Sequence, residues 1–84
     1  MKNFLARVTD NRNYPNTLSE FEFRAPDMAA AIKFALHNEG HKRPAKIYEK
    51  GENFFSALLS NKKFAETFID IYGMEEGNVS SNGI

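Results

Sequence analysis

Between Glu20 and Gly40 the chain reads EFEFRAPDMAAAIKFALHNEG, and a hydrophobic period of two gives way to a period of three to four across a single Pro-Asp. Phe21 and Phe23 alternate with Glu20, Glu22 and Arg24, the pattern of a strand with one face on a core. Asp27 is placed to cap a helix, because its carboxylate can accept from the first-turn N–H groups and sits at the positive end of the helix dipole. Met28, Ala31, Ile32, Ala35 and Leu36 form the helix's apolar stripe, and its small alanines allow close approach to a sheet. Gly40 supplies the left-handed residue that ends helices. A strand feeding an amphipathic helix restricts the chain to folds that mix sheet and helix.

The rest of the chain is read around that joint. Phe4, Ala6 and Val8 alternate with Leu5 and Arg7, which predicts a first strand over residues 3–9. Asp10 to Thr17, DNRNYPNT, is turn chemistry joining it to the second strand as a wide hairpin. HKRPAK after Gly40 reads as a polar linker, and Ile47 between Lys46 and Tyr48 marks a third strand over residues 45–50. Gly51-Glu52-Asn53 reads as a turn. Periodicity does not arbitrate whether FFSALL, residues 54–59, is strand or helix; the turn before it and the helix start at Ser60 and Asn61 favour a strand. Phe64, Ala65, Phe68, Ile69 and Tyr72 then match a helical stripe ending at Gly73. The expected fold is α+β: an antiparallel sheet of three to four strands with two helices on one face, in the order ββαββα. Residues 1–73 form the single domain and 74–84 a disordered tail. The uncovered sheet face would carry Leu5, Arg7, Glu20, Glu22 and Arg24.

Composition sets limits on function. In 84 residues there is room for one core, to which eight Phe and three Tyr contribute most; each buried aromatic removes about 150–250 Å² from water. The absence of Cys removes disulfides and thiolate metal sites and fits a reducing compartment. MKNFLARVTD holds no apolar run long enough for a signal peptide or a membrane span, so the expected location is cytoplasmic, with no membrane partner. Eleven basic and eleven acidic residues cancel, which weighs against a strongly basic nucleic-acid binder and a strongly acidic nucleic-acid mimic. Locally, Lys42, Arg43, Lys46 and Lys50 stand against Glu49 alone.

Catalytic groups are sparse. His37 and His41 are spaced as a helical metal pair, but Gly40 lies between them and HNEGH is not the HExxH arrangement. No GxSxG, Walker or GxGxxG pattern occurs, and Glu20 with Glu22 reads as solvated charge. No enzyme activity, cofactor or metal is expected. Phe54 and Phe55 would stack on bases only if exposed. The Asn11, Asn13, Tyr14, Pro15, Asn16 loop has the composition of adaptable recognition loops, where Tyr offers contact area at low rotamer cost.

The run FEFRAPDMAAAIKFA, residues 21–35, resembles a strand-to-helix pattern of small bacteriophage and mobile-element proteins, including anti-defence, anti-CRISPR-like inhibitors. That resemblance implies a compact domain that occupies a surface of a larger protein without chemistry of its own. With catalytic groups lacking and the Asp10 to Thr17 loop rich in recognition residues, the leading expectation is a non-enzymatic protein-binding module, an inhibitor blocking a surface of a host or defence complex. Its candidate contact residues are Asn13, Tyr14, Asn16, Lys42, Arg43, Lys46 and Lys50. The alternative is a small nucleic-acid-binding or regulatory protein using the basic 41–50 segment, and a homodimer through an exposed sheet edge or through Phe54 and Phe55 is compatible with either.

Overall fold

The computed structural model describes residues 1–10, 16–62 and 65–74. In chain order the elements are β1 (Lys2–Thr9), β2 (Thr17–Ala25), α1 (Met28–Asn38), β3 (Lys46–Lys50), β4 (Phe54–Lys62) and β5 (Ala65–Met74). The strands form one antiparallel sheet in the order β2-β1-β5-β4-β3. Helix α1 carries the chain from one edge strand to the other.

The β2–α1 joint follows local chemistry. Asp27 is the N-cap, its Oδ1 accepting from the Ala30 N–H at 2.9 Å. At the other end Gly40 has φ +79°; its N–H donates to the His37 carbonyl at 3.0 Å, and the His41 N–H donates to the Leu36 carbonyl at 2.8 Å. This crossed pair satisfies carbonyls that the last turn would leave open.

Two expectations are corrected. The arrangement is not ββαββα with two helices: among the described residues it is mostly sheet, with five strands and one short helix. Ala65, Phe68, Ile69 and Tyr72 of the stripe assigned to a second helix belong to β5, which lies between β1 and β4 and pairs with both; Phe64 lies outside the described residues. In Thr67–Tyr72, TFIDIY, the β-branched and aromatic residues suit a pleated surface. As a strand this segment buries Ile69 and Ile71 under α1 and Phe68 on the opposite face, whereas a helix would bury a single stripe. Lys62 and Lys63 also sit poorly at a helix start, facing the positive end of its dipole. Residues 54–59 are strand, as favoured. Met74 ends β5, and the expected tail beyond it lies outside the described residues.

The core forms where α1 lies on the sheet. Phe4, Ala6, Ala31, Ala35, Phe55, Ala57, Ile69 and Ile71 have no exposed surface, and Phe21 and Phe23 pack at their margin. Alanines on both layers let the helix axis approach closely, while Phe4, Phe55, Ile69 and Ile71 fill the volume. β4 is buried from Phe55 through Leu59: Phe55, Ala57 and Leu59 join the core beneath α1, and Ser56 and Leu58 are buried on the opposite face as well. Among the described residues no helix is long and apolar enough to cross a membrane.

Candidate functional site

The face turned away from α1 is built from alternate residues of every strand. Pairing sets Leu5 opposite Glu22 and Tyr72, Arg7 opposite Glu20 and Asp70, and Ser56 opposite Asp70 and Glu49. Leu5, Arg7, Glu20, Glu22 and Arg24 therefore lie on the face expected for them. Its β1–β2 half is charged. Arg7 Nη2 and Nε donate to Glu20 Oε2 at 2.8 and 3.1 Å. That hydrogen bond, and then the carboxylate's charge, raise the Arg7 pKa above the ordinary arginine range.

The β3–β5 half is aromatic. The Arg7 guanidinium lies 5.9 Å from the Tyr72 ring centroid, and Tyr72 lies 5.2 Å from Phe54 in a tilted pair. Tyr48 sits 6.4 Å from Phe68, with Lys46 Nζ 5.6 Å from the Tyr48 centroid. Between them Tyr48, Glu49, Phe54, Ser56 and Phe68 line an open groove of about 590 Å³. A register shift between Ile47 and Glu49 marks a bulge at Tyr48, which re-aims a side chain on an edge strand. Tyr48 remains 48% exposed, while Ser56 and Phe68 form a buried floor.

The residues singled out from sequence are dispersed. Asn13 and Tyr14 lie outside the described residues. Asn16 is exposed, its N–H donating to Asp10 Oδ1 at 3.3 Å and its carbonyl accepting from the Asp10 N–H at 3.2 Å. Lys42 and Arg43 are exposed in the connection between α1 and β3. Lys46 is paired with Leu58 and Lys50 with Phe55, so these two lysines lie on opposite faces of β3. Phe54 and Phe55 also divide: Phe54 lines the groove, and Phe55 is fully buried in the core. Gly40 does end the helix, and His37 and His41 lose the i, i+4 geometry; among the described residues no cluster of three or more His, Asp or Glu could hold a metal.

Sequence reasoning missed the aromatic half because Phe68 and Tyr72 had been placed on a helix. The available signal was the alternation of Phe68, Asp70 and Tyr72 with Ile69 and Ile71, which a period of two explains as well as a helical stripe does. Residues 21–35, which carried the resemblance, form β2, the cap and most of α1. Phe21, Phe23, Ala25, Met28, Ala31 and Ala35 pack in or against the core, so that run describes scaffold and contributes nothing to the groove. Compared with protein-family models, curated proteins and solved structures, the chain finds no match.

Proposed function

We propose that this chain is a non-enzymatic module that binds a larger protein through the β3–β5 half of its helix-free face. A partner side chain would seat between Tyr48, Phe54 and Phe68. The observation that supports this is the groove itself: aromatic walls from Tyr48 and Phe54, a floor of Phe68 and Ser56, Glu49 at the rim, and no element packed across its mouth among the described residues. An apolar pocket with a polar margin is the make-up of an interface centre. Tyr48 offers a large amphipathic surface at low entropic cost.

Charge favours a protein over a nucleic acid as partner. Among the described residues the helix-free face sets Arg7, Arg24 and Lys46 against Glu20, Glu22, Glu49, Glu66 and Asp70, which gives no excess of cations to attract phosphate. The basic 41–50 segment is divided by Lys46 and Lys50 facing opposite ways. In the narrower reading the module is an inhibitor covering a surface of a host or defence complex, acting through this same groove.

The test is capture from a lysate of the cell that makes the protein, using wild-type and Tyr48→Ala baits, each with and without nuclease. Tyr48 is half exposed, so an unchanged circular-dichroism spectrum serves as the folding control. The expected result is a stoichiometric partner that survives nuclease with wild type and is lost with Tyr48→Ala. A partner retained equally by both baits removes the groove from the reading. Recovery that vanishes with nuclease transfers the function to nucleic acid and to Lys42, Arg43, Lys46 and Lys50.

A further inference from the structure

The two edges of the sheet are built differently. β3 carries the features that discourage strand addition: it is only five residues long, it bulges at Tyr48, and Lys46 and Lys50 stand on it. β2 has nine residues, and its single register shift lies at its start, next to Thr17. From Ser19 to Ala25 the pairing with β1 is regular, and among the described residues no strand pairs with the outer side of β2.

We infer that this edge is a self-association surface, on which a second copy of the chain adds antiparallel through its own β2 with Phe23 opposite Phe23 of the other copy. The register follows from the side chains. A two-fold axis perpendicular to the sheet keeps both helices on one side, and pleat alternation then requires the axis to pass through a residue pair. Centring on Glu22 opposes two carboxylates at the axis, and its complementary pairs, Glu20 against Arg24, draw on a carboxylate that Arg7 already holds at 2.8 Å; centring on Phe21 sets Glu20 against Glu22 twice, and centring on Arg24 opposes two guanidinium groups. Centring on Phe23 sets Glu22 of each copy against Arg24 of the other, and Phe21 against Ala25. Every charged pair in that register is complementary.

The helix side completes the seam. Phe34 of α1 is 47% exposed and stacks on Phe23 at 4.7 Å between centroids, with Phe21 6.4 Å away. Pairing at Phe23 brings this cluster against its copy and covers an aromatic surface that the monomer leaves in water. Formation of the dimer joins the two sheets into one and leaves the groove at Tyr48, on the far side of each copy, accessible.

The experiment is sedimentation velocity over a concentration series on four full-length proteins: wild type, Glu22→Arg, Arg24→Glu, and the variant with both substitutions. Wild type is expected to reach twice the 9.6 kDa chain mass as concentration rises. Each single reversal places two like-charged pairs across the seam and is expected to weaken the dimer roughly tenfold or more. The double variant restores both pairs in opposite sense and is expected to recover it, which a folding defect would not do. Phe34→Asp, at an exposed helix position, is expected to weaken the dimer, and Tyr48→Ala to leave it unchanged. A wild-type protein monomeric at every concentration overturns the inference, and so does a dimer indifferent to both single reversals or one lost in the double variant. These outcomes are independent of whether Tyr48 captures a partner.

Discussion

Gly73→Ala places one methyl group where the hairpin between β3 and β4 meets the end of β5. Gly73 has a negative or extended φ, since Gly40 is the positive-φ glycine among the described residues, so a side chain meets no backbone strain there. In open space the exchange would stabilise, because glycine in a strand costs about 0.5–1 kcal/mol relative to alanine. The space is not open: an added Cβ would lie 3.0 Å from Asn53 Oδ1, 3.2 Å from Asn53 Cα and 3.4 Å from Asn53 Cβ. Asn53 cannot easily yield, because its carbonyl accepts from the Gly73 N–H at 2.7 Å and the Gly51 N–H donates to the Phe54 carbonyl at 2.7 Å. Overpacking of this kind costs about 1–3 kcal/mol, which exceeds the entropic gain. The expected net effect is a loss of about 1 kcal/mol, read as a lower urea midpoint at unchanged slope, or roughly 4–8 °C in Tm. Gly73→Val should cost more. In an Asn53→Gly background, where the Oδ1 and Cβ contacts are gone, the alanine penalty should shrink by at least about 0.5 kcal/mol. A Gly73→Ala protein as stable as wild type, or a penalty independent of residue 53, would refute the close-approach argument.

Other substitutions probe the elements separately. Asp27→Ala removes the acceptor of the Ala30 N–H and should cost about 1 kcal/mol in chemical denaturation. Gly40→Ala should cost about 1 kcal/mol, because φ +79° disfavours a Cβ although nothing lies within 4 Å; Gly40→Asn should cost less. Phe55→Ala empties a fully buried site and should cost about 3–5 kcal/mol, a large share of the roughly 4–13 kcal/mol available to a domain of this size, so calorimetry should show a collapsed Tm. The raised Arg7 pKa means that any stabilisation from its bond to Glu20 is fully present below the ordinary arginine pKa and lost only as pH rises through the higher folded value. The midpoint offset between wild type and Arg7→Gln should therefore stay constant in urea melts from neutral to mildly alkaline pH, and a drift across that range would contradict the assignment.

What the amino-acid sequence determined by itself was local. The β2–α1 joint was legible in full, because the cap at Asp27, the turn at Gly40 and the alternation of Phe21 and Phe23 each depend on residues a few positions apart. β1, β3 and β4 were legible for the same reason, as was the face holding Arg7, Glu20 and Glu22. Residues 65–74 were not, since Phe68, Ile69 and Tyr72 satisfy both a helical stripe and an alternating strand. The tertiary structure resolved that degeneracy by offering a slot between β1 and β4, where the backbone of β5 is hydrogen-bonded on both sides and both of its faces bury apolar side chains. The groove was illegible for a related reason: Tyr48, Phe54 and Phe68 come from three strands and meet only through their register. The contrast between the blunted β3 edge and the regular β2 edge is likewise a property of pairing, which no local pattern in the chain encodes.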